Sequence, residues 1–369
     1  MKNPKITVFI SYYNDEQFIA ESISSILKQT FDDFELILLD HASLDKSAQI
    51  AHSFKDERIV HLKMEKNILA GGSELFLKIL DAARGEYIKF FCADDVMEEN
   101  CLEELMREIN QNPNIDMLFS DMSVIDEQGK MKKNNYVFNI AFGKSENELL
   151  KFLFNGITLI SYPTVLIKKS KIYREYVCRI GIQLFDVKLW ANLLLGGCTA
   201  KFVNQKLVRY RIHKNQMSGL HVGSKISNRL AFEEFHLLDL FLEKMNFETA
   251  KKVFGNEISD NKEFLKFNLC KIALDSDNFQ IRLSALHNLF NLLQDDDLRR
   301  KIDLEYGFGI KEMRYLMTLE KFSIHHRVNA KHNIFMLVKK YGYYFCVKLH
   351  IRRPVKQIYL IIKRIFNIV

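Results

Sequence analysis

The sequence predicts an α/β fold, with a mainly parallel central sheet covered by helices on both faces and a helical C-terminal region after it. Three observations carry this expectation. Over the first 125 residues, short apolar runs alternate with stretches of helical period. Their connections are short, so successive strands should run parallel with right-handed crossovers. From about residue 221, apolar residues recur at three- and four-residue spacing almost throughout.

Taken in order, residues 5–11 read as a first strand, with Ile6, Val8, Phe9 and Ile10 apolar. A loop at 12–15 follows, and Asn14 or Asp15 is placed to cap a helix over 18–27. Residues 34–39 form a second strand ending at Asp40. Ser43 can cap a helix over 44–54. A third strand spans 59–62. A loop through Asn67, Gly71 and Gly72 leads to a helix over 74–83, which Gly85 stops. Tyr87, Ile88, Phe90 and Phe91 then form a buried strand that runs straight into Asp94 and Asp95. Adjacent carboxylates at a strand end repel each other and lose hydration, so they need a cation, a substrate or bulk water. Hard oxygen donors suit magnesium or manganese, and α/β sheets bind ligands at the carboxyl ends of their strands. The same residues also suit an acidic turn before a helix starting near Glu98.

Further on, residues 116–121 read as a strand with Asp121 at its end, 125–147 as a hairpin or excursion, and 148–154 as a helix. Residues 163–168 form a strand. Asp186 lies near the start of a helix whose apolar face is Leu189, Leu193 and Leu194, and a last strand ends near Ile212. Helices follow at 230–245, 264–274, 281–293 and 335–349. Asp295, Asp296 and Asp297 read as a solvated cap. His325, His326 and His332 have no acid or cysteine nearby, which argues against a zinc site.

Composition narrows the class. A chain of 369 residues, 48% apolar, can bury one large core and a smaller second domain. The six cysteines have no paired spacing, as expected of reduced thiols in the cytoplasm. The N-terminal apolar run is too short for a signal peptide or a membrane span. Of 53 basic residues, eleven lie after Glu320, where there is no Asp or Glu; the first 320 residues keep 42 basic and 46 acidic side chains. Basicity therefore belongs to the tail, and a nucleic-acid-binding body is not expected. No GxGxxG follows the first strand and no GxxxxGK[ST] occurs, so the sheet is not of the dinucleotide or P-loop type.

Several ordered segments resemble the inverting glycosyltransferase family 2, which has the GT-A fold. They are Ile10-Ser11-Tyr12-Tyr13-Asn14, Ile23-Ser24-Ser25-Ile26-Leu27-Lys28-Gln29-Thr30, the stretch 34–45 with Asp40, Ser43 and Asp45, and Ala83-Arg84-Gly85-Glu86-Tyr87-Ile88 with Cys92-Ala93-Asp94-Asp95. His41, Ala42 and Cys92 depart from the family's usual aspartate, glycine and aspartate.

The resemblance implies a nucleotide-sugar site. Tyr12, Asn14, Asp40 and Asn67 fall on the donor side. Asp40 matches the carboxylate that meets the nucleotide base, although it also suits a strand-end turn, as Asn67 suits a turn. Asp45 reads as structural. Asp94 and Asp95 match the end of the motif for diphosphate and a divalent cation, Mn²⁺ or Mg²⁺. The segment 184–190 resembles the region that supplies the catalytic base. This makes Asp186 the base, with Trp190 matching and Phe185 in place of a glutamate; a helix-dipole role for Asp186 stays open. Arg211, His213 and Lys214 can reach the diphosphate from a loop, with a metal triad of His213, Asp94 and Asp95 also open.

The expected activity is transfer of a sugar, with inversion, from a nucleotide-diphosphate sugar (a UDP-sugar favoured) to a hydroxyl of a glycan or lipid-linked glycan, in making surface polysaccharide or lipopolysaccharide. Two other classes stand beside it. One is an inactive binding or scaffold protein of the same fold, suggested by Cys92, His41 and Phe185. The other is a nucleotidyltransferase, for which residues 12–15 have the wrong chemistry. The expected division is a GT-A domain over 1–218 (donor half 1–125, acceptor half 126–218), a helical domain over 219–350 and a basic amphipathic tail over 351–369. That tail suits an anionic membrane surface, its own domain or a second subunit, so a cytoplasmic protein, peripheral on the inner membrane or dimeric, is expected.

Overall fold

In a computed structural model, the residues described are 3–67, 72–132, 141–177, 184–214, 216, 225–319 and 322. Among them, eight strands form one sheet in the order β3-β2-β1-β4-β7-β6-β8-β5. The elements run β1 (Ile6–Tyr12), α1 (Ile19–Leu27), β2 (Phe34–Asp40), α2 (Ser47–Ser53), β3 (Ile59–Lys63), α3 (Gly72–Ala82), β4 (Tyr87–Cys92), β5 (Val96–Met97) and α4 (Cys101–Gln111). Next come β6 (Met117–Ile125), α5 (Glu146–Phe154), β7 (Leu166–Lys168), α6 (Phe185–Leu195) and β8 (Ala200–Arg211). The helices α7 (Lys225–Phe235), α8 (Leu237–Lys244), α9 (Phe247–Phe254), α10 (Leu265–Ala273), α11 (Phe279–Leu292), α12 (Asp296–Tyr306) and α13 (Ile310–Met317) follow. The protein is thus an α/β core followed by a largely helical region. The described residues divide into two units, one ending at Ile302 and one beginning at Asp303.

The sheet is mixed. Strands β1 to β4 pair in parallel, as expected of strand–helix alternation. β7 then runs antiparallel between β4 and β6, while β6 and β8 are parallel. β7 is shorter than the 163–168 expected, because Pro163 sits in a 3₁₀ turn, where its lack of an N–H costs nothing. β6 is longer than expected. Asp121 lies inside it, at a register shift and not at the strand end, and its own carboxylate accepts the Met122 N–H.

Alternation along β1 and β4 divides the core. Ile6, Val8, Ile10, Tyr12, Tyr87 and Phe91 pack against Ile19, Ile23 and Ile26 of α1 and Leu102, Leu105 and Ile109 of α4. The opposite face is aromatic. Phe9 and Phe90 meet Phe76 of α3 at 5.7 and 5.1 Å, and Phe90 meets Tyr162 and Trp190 at 5.1 and 5.2 Å. Tilted and edge-on rings of this kind favour a fixed geometry over a sliding contact. They hold α6 beneath β4.

Three local expectations are corrected. Neither Asn14 nor Asp15 caps α1 and Ser43 does not cap α2; the two helices begin at Ile19 and Ser47 without a side-chain cap. These polar residues are used between loops instead. Gly85 is not what ends α3, which stops at Ala82. A Cβ at Gly85 would lie against Thr7 N and 2.7 Å from Ile6 C, so glycine is required there for close approach to β1. Its N–H donates to Thr7 Oγ1, which donates to the buried carboxylate of Glu35, and Glu35 also accepts from the Arg84 N–H and guanidinium.

Candidate active site

Asp94 and Asp95 occupy the turn between β4 and β5, and α1 mounts that turn from behind. Ser22 Oγ donates to the Cys92 carbonyl at 2.9 Å, and Ser25 Oγ accepts the Met97 N–H at 3.0 Å. Gln29 donates to the Glu98 carbonyl and accepts the Leu102 N–H, and the Thr30 N–H reaches the Glu99 carbonyl. Ser22, Ser25, Gln29 and Thr30 therefore clamp the acidic loop and the start of α4.

Arg211 holds the loop from the other side. It ends β8 and is only 1% exposed. Its N–H donates to Asp95 Oδ1 at 2.8 Å, and its Nε donates to the Asp94 carbonyl at 2.7 Å. Nη1 reaches the carbonyls of Asp126 and Glu127, Nη2 pairs with Glu21 at 2.6 Å, and the guanidinium covers the Phe18 ring. This expected diphosphate ligand is engaged inside the protein, because a buried guanidinium must satisfy all its donors. His213, two residues on, puts Nε2 2.9 Å from Asp94 Oδ2.

Asp95 is 1% exposed, and its Oδ2 has no hydrogen-bond partner. A buried carboxylate oxygen left without a donor is costly unless something binds it. Cys92 Sγ and one oxygen each from Asp94 and Asp95 lie within 4.8 Å of one another. This donor set fits a divalent cation. Burial first, then the charge of Asp94, raises the Asp95 carboxyl well above the ordinary range; Arg211 and, less strongly, the neighbouring Cys92 thiol oppose the shift.

A second group of expected residues lies at the ends of β1 and β2. The His41 N–H donates to the Tyr12 carbonyl at 2.9 Å, and Asp40 Oδ1 accepts the Ser43 N–H at 2.8 Å. Asn14 receives the Leu44 N–H and gives its own N–H to Ser43 Oγ. Asp45 accepts from Ser47 and the Glu16 N–H, the structural role expected of it. Asn14 and Ala42 have φ of 56° and 60°, which explains why a glycine is usual at the second position. Asn67 lies in the turn beyond β3, next to residues outside those described.

Asp15 joins the two groups, and sequence reasoning missed it by treating it as a cap. Its N–H donates to Ser47 Oγ and its carboxylate accepts the Tyr13 N–H. Burial, with help from the charge of Asp94, pushes its carboxyl up to about 6.

Asp186 lies in the first turn of α6. Phe185 beside it packs on Phe76 at 5.4 Å, in space left by Gly72, whose Cβ would meet the Phe185 ring at 3.0 Å. Trp190, the next turn down, is fully buried against Phe90. Asp186 Oδ1 accepts the Val187 N–H at 2.9 Å. Burial above all, with the charge of Glu233 adding to it, pushes the Asp186 carboxyl up to about 6. Burial above all raises Cys92 and Tyr162, and the charge of Asp186 adds a small contribution to each. Glu233, from α7, is buried and accepts the Leu184 N–H at 2.9 Å. Nothing in the helical pattern around Glu233 marked it.

Residues 7–172 match the family model "Glycosyl transferase family 2". An uncharacterized glycosyltransferase of Methanocaldococcus jannaschii is 30% identical over 58% of this chain and 72% of its own length. The chain belongs to glycosyl transferase family 2. Other relatives of this glycosyltransferase include an uncharacterized glycosyltransferase of Haemophilus influenzae, 23% identical over 82% of the chain and 95% of that protein. The putative teichuronic acid biosynthesis glycosyltransferase TuaG of Bacillus subtilis is 26% identical over 58% and 82%. The glycosyltransferase has a GT-A core and transfers a sugar from a nucleotide-diphosphate sugar to a glycan or lipid acceptor.

Proposed function

We propose that the donor lies across the C-terminal ends of β1, β2 and β4, that Cys92, Asp94 and Asp95 hold a divalent cation, and that Asp186 is the base of an inverting transfer. The unpartnered, buried Asp95 Oδ2 within the three-residue donor set carries the reading. A cation there, Mn²⁺ or Mg²⁺, would neutralise charge on the departing nucleoside diphosphate. Since Arg211 is engaged internally, it positions the acidic loop, leaving His213 and Lys214 to meet phosphate oxygens.

Tyr12, Asn14 and Asp40 are assigned to the nucleoside, with Asn67 at the margin. Asp40, oriented by Ser43, offers an acceptor. Uracil presents an N3–H to it, whereas cytosine presents a lone pair, which favours a UDP-sugar. Asp186 takes the proton of the acceptor hydroxyl as that oxygen attacks the anomeric carbon opposite the nucleotide. A carboxylate with a pKa of about 6 is ionised at neutral pH and still basic enough for the task. The acceptor is a growing surface glycan or its lipid-linked form, a reading that the likeness to TuaG supports. The enzyme then works at the inner face of the membrane. Among the described residues, no helix is long and apolar enough to cross a bilayer.

The test is calorimetric titration of UDP with and without Mn²⁺. Asp95→Asn is expected to lose the cation-dependent part of binding with its fold intact. Unchanged Mn²⁺-dependent binding in that variant would sink the metal assignment. CDP binding as tight as UDP would remove Asp40 from base recognition.

A further inference from the structure

Resting on the cation site proposed above, we infer that Cys92 supplies a thiolate ligand and turns the site toward thiophilic cations such as Co²⁺, Zn²⁺ and Cd²⁺, at the expense of Mg²⁺. Two observations support it. First, the Sγ atom is not set apart from the carboxylates. It lies within 4.8 Å of an oxygen of each, and ligand atoms on one ion at about 2.0–2.3 Å stand no further apart than roughly 4.6 Å. A small closing movement suffices. Second, Asp95, whose buried Oδ2 has no hydrogen-bond partner, is a member of the same cluster, and a cation there would satisfy that oxygen.

Hard and soft donors then decide selectivity. Mg²⁺ demands oxygen ligands in near-octahedral order, whereas thiolate suits the softer divalent ions. On coordination the thiol proton leaves to solvent, since a metal-bound thiol is deprotonated outright. A carboxylate at this position would hold the same ions by oxygen alone, so the sulfur is the element of choice that this chain adds.

The experiment reads metal binding directly. Co²⁺ is titrated into the full-length protein in the presence of UDP while near-ultraviolet absorbance is followed, and Cd²⁺ and Mg²⁺ are titrated by calorimetry. Wild type is expected to develop a thiolate-to-cobalt charge-transfer band that Cys92→Ser and Cys92→Asp lack. The Cd²⁺-over-Mg²⁺ preference is expected to fall at least about tenfold in Cys92→Asp, a modest change for a ligand when outer-shell partners alone shift affinity 10–100-fold. The buried Cys101, Cys198 and Cys270 remain in both variants and serve as internal controls. Cation-dependent UDP binding without the band, with the same preference in Cys92→Asp, overturns the role of Cys92 and leaves the cation site standing. Loss of all cation dependence in wild type overturns both.

Discussion

A carboxylate in the first turn of a helix has two uses, and Asp186 allows them to be separated. It can interact favourably with the helix dipole, or it can accept a proton. The helix begins with Leu184 as its cap residue and without a side-chain cap bond, so α6 does not depend on Asp186 to start. Asp186→Asn keeps the size and the acceptor for the Val187 N–H but removes the base. Single-turnover transfer at saturating donor and acceptor is expected to slow by at least about 10²-fold, within the range for lost acid–base catalysis. Donor affinity should hardly change, because the loss lies in the transition state. In wild type the rate should fall as pH drops through about 6, where Asp186 takes up a proton. A near-normal rate in a variant with a normal thermal melt would remove Asp186 from the mechanism. The other acids are then weighed by location. Asp15 stands beside Asp94 and His213, whereas Asp121 is committed to the middle of β6.

Between elements, α7 reaches back to set α6. Glu233 accepts the Leu184 N–H at the helix entrance, and its charge helps hold the Asp186 carboxyl high. Glu233→Gln retains an acceptor for Leu184 and removes the negative charge. Because that charge raises Asp186, its loss should lower the acid limb of the pH–rate profile, while the plateau rate stays nearly the same. An unmoved limb in a folded Glu233→Gln protein would reduce Glu233 to a structural role, and Glu233→Ala should in addition lower the melting temperature. Such long-range ties were the part of the site not legible in the sequence. Apolar runs marked β1 to β4, and the spacing of Phe18, Ile19, Ile23, Ile26 and Leu27 marked α1, because local spacing encodes both. Asp94, Asp95 and Asp186 were legible as carboxylates at element ends. Arg211 was legible as a cation, but its burial depends on Glu21 and on carbonyls far away in the chain. The unpartnered Asp95 oxygen is likewise a property of the assembled site. β6 ran past Asp121 because Met122, Val124 and Ile125 are buried, a continuation that the polar Asp121 concealed.

At the scale of the whole molecule, charge and chemistry occupy different parts of the chain. Every proposed site residue lies within the unit that ends at Ile302. The excess positive charge lies after Glu320, beyond most of the described residues. Its last stretch, 351–369, interleaves Arg352, Arg353, Lys356, Lys363 and Arg364 with Ile351, Val355, Ile358, Leu360, Ile362, Ile365 and Phe366. Basic residues near an anionic bilayer contribute about 1 kcal/mol each, and interleaved apolar side chains add burial at the interface. If acceptors are carried on lipid, such a segment would keep the enzyme where its substrate is. Deleting residues 351–369 is therefore expected to reduce partitioning onto phosphatidylglycerol vesicles by at least about tenfold, a fraction of what five basic residues could supply. Partitioning of the full chain should weaken with salt, and that salt sensitivity should shrink in the truncated protein. Turnover on a soluble acceptor should be nearly unchanged, since the truncation removes nothing from the proposed site. Flotation of both proteins on vesicles with and without anionic lipid, at two salt concentrations, decides the matter. Size-exclusion chromatography alongside tells a dimer contact from a membrane contact. A truncated protein that is insoluble or unfolded would mean that the segment packs on protein, and the membrane role would fall with it.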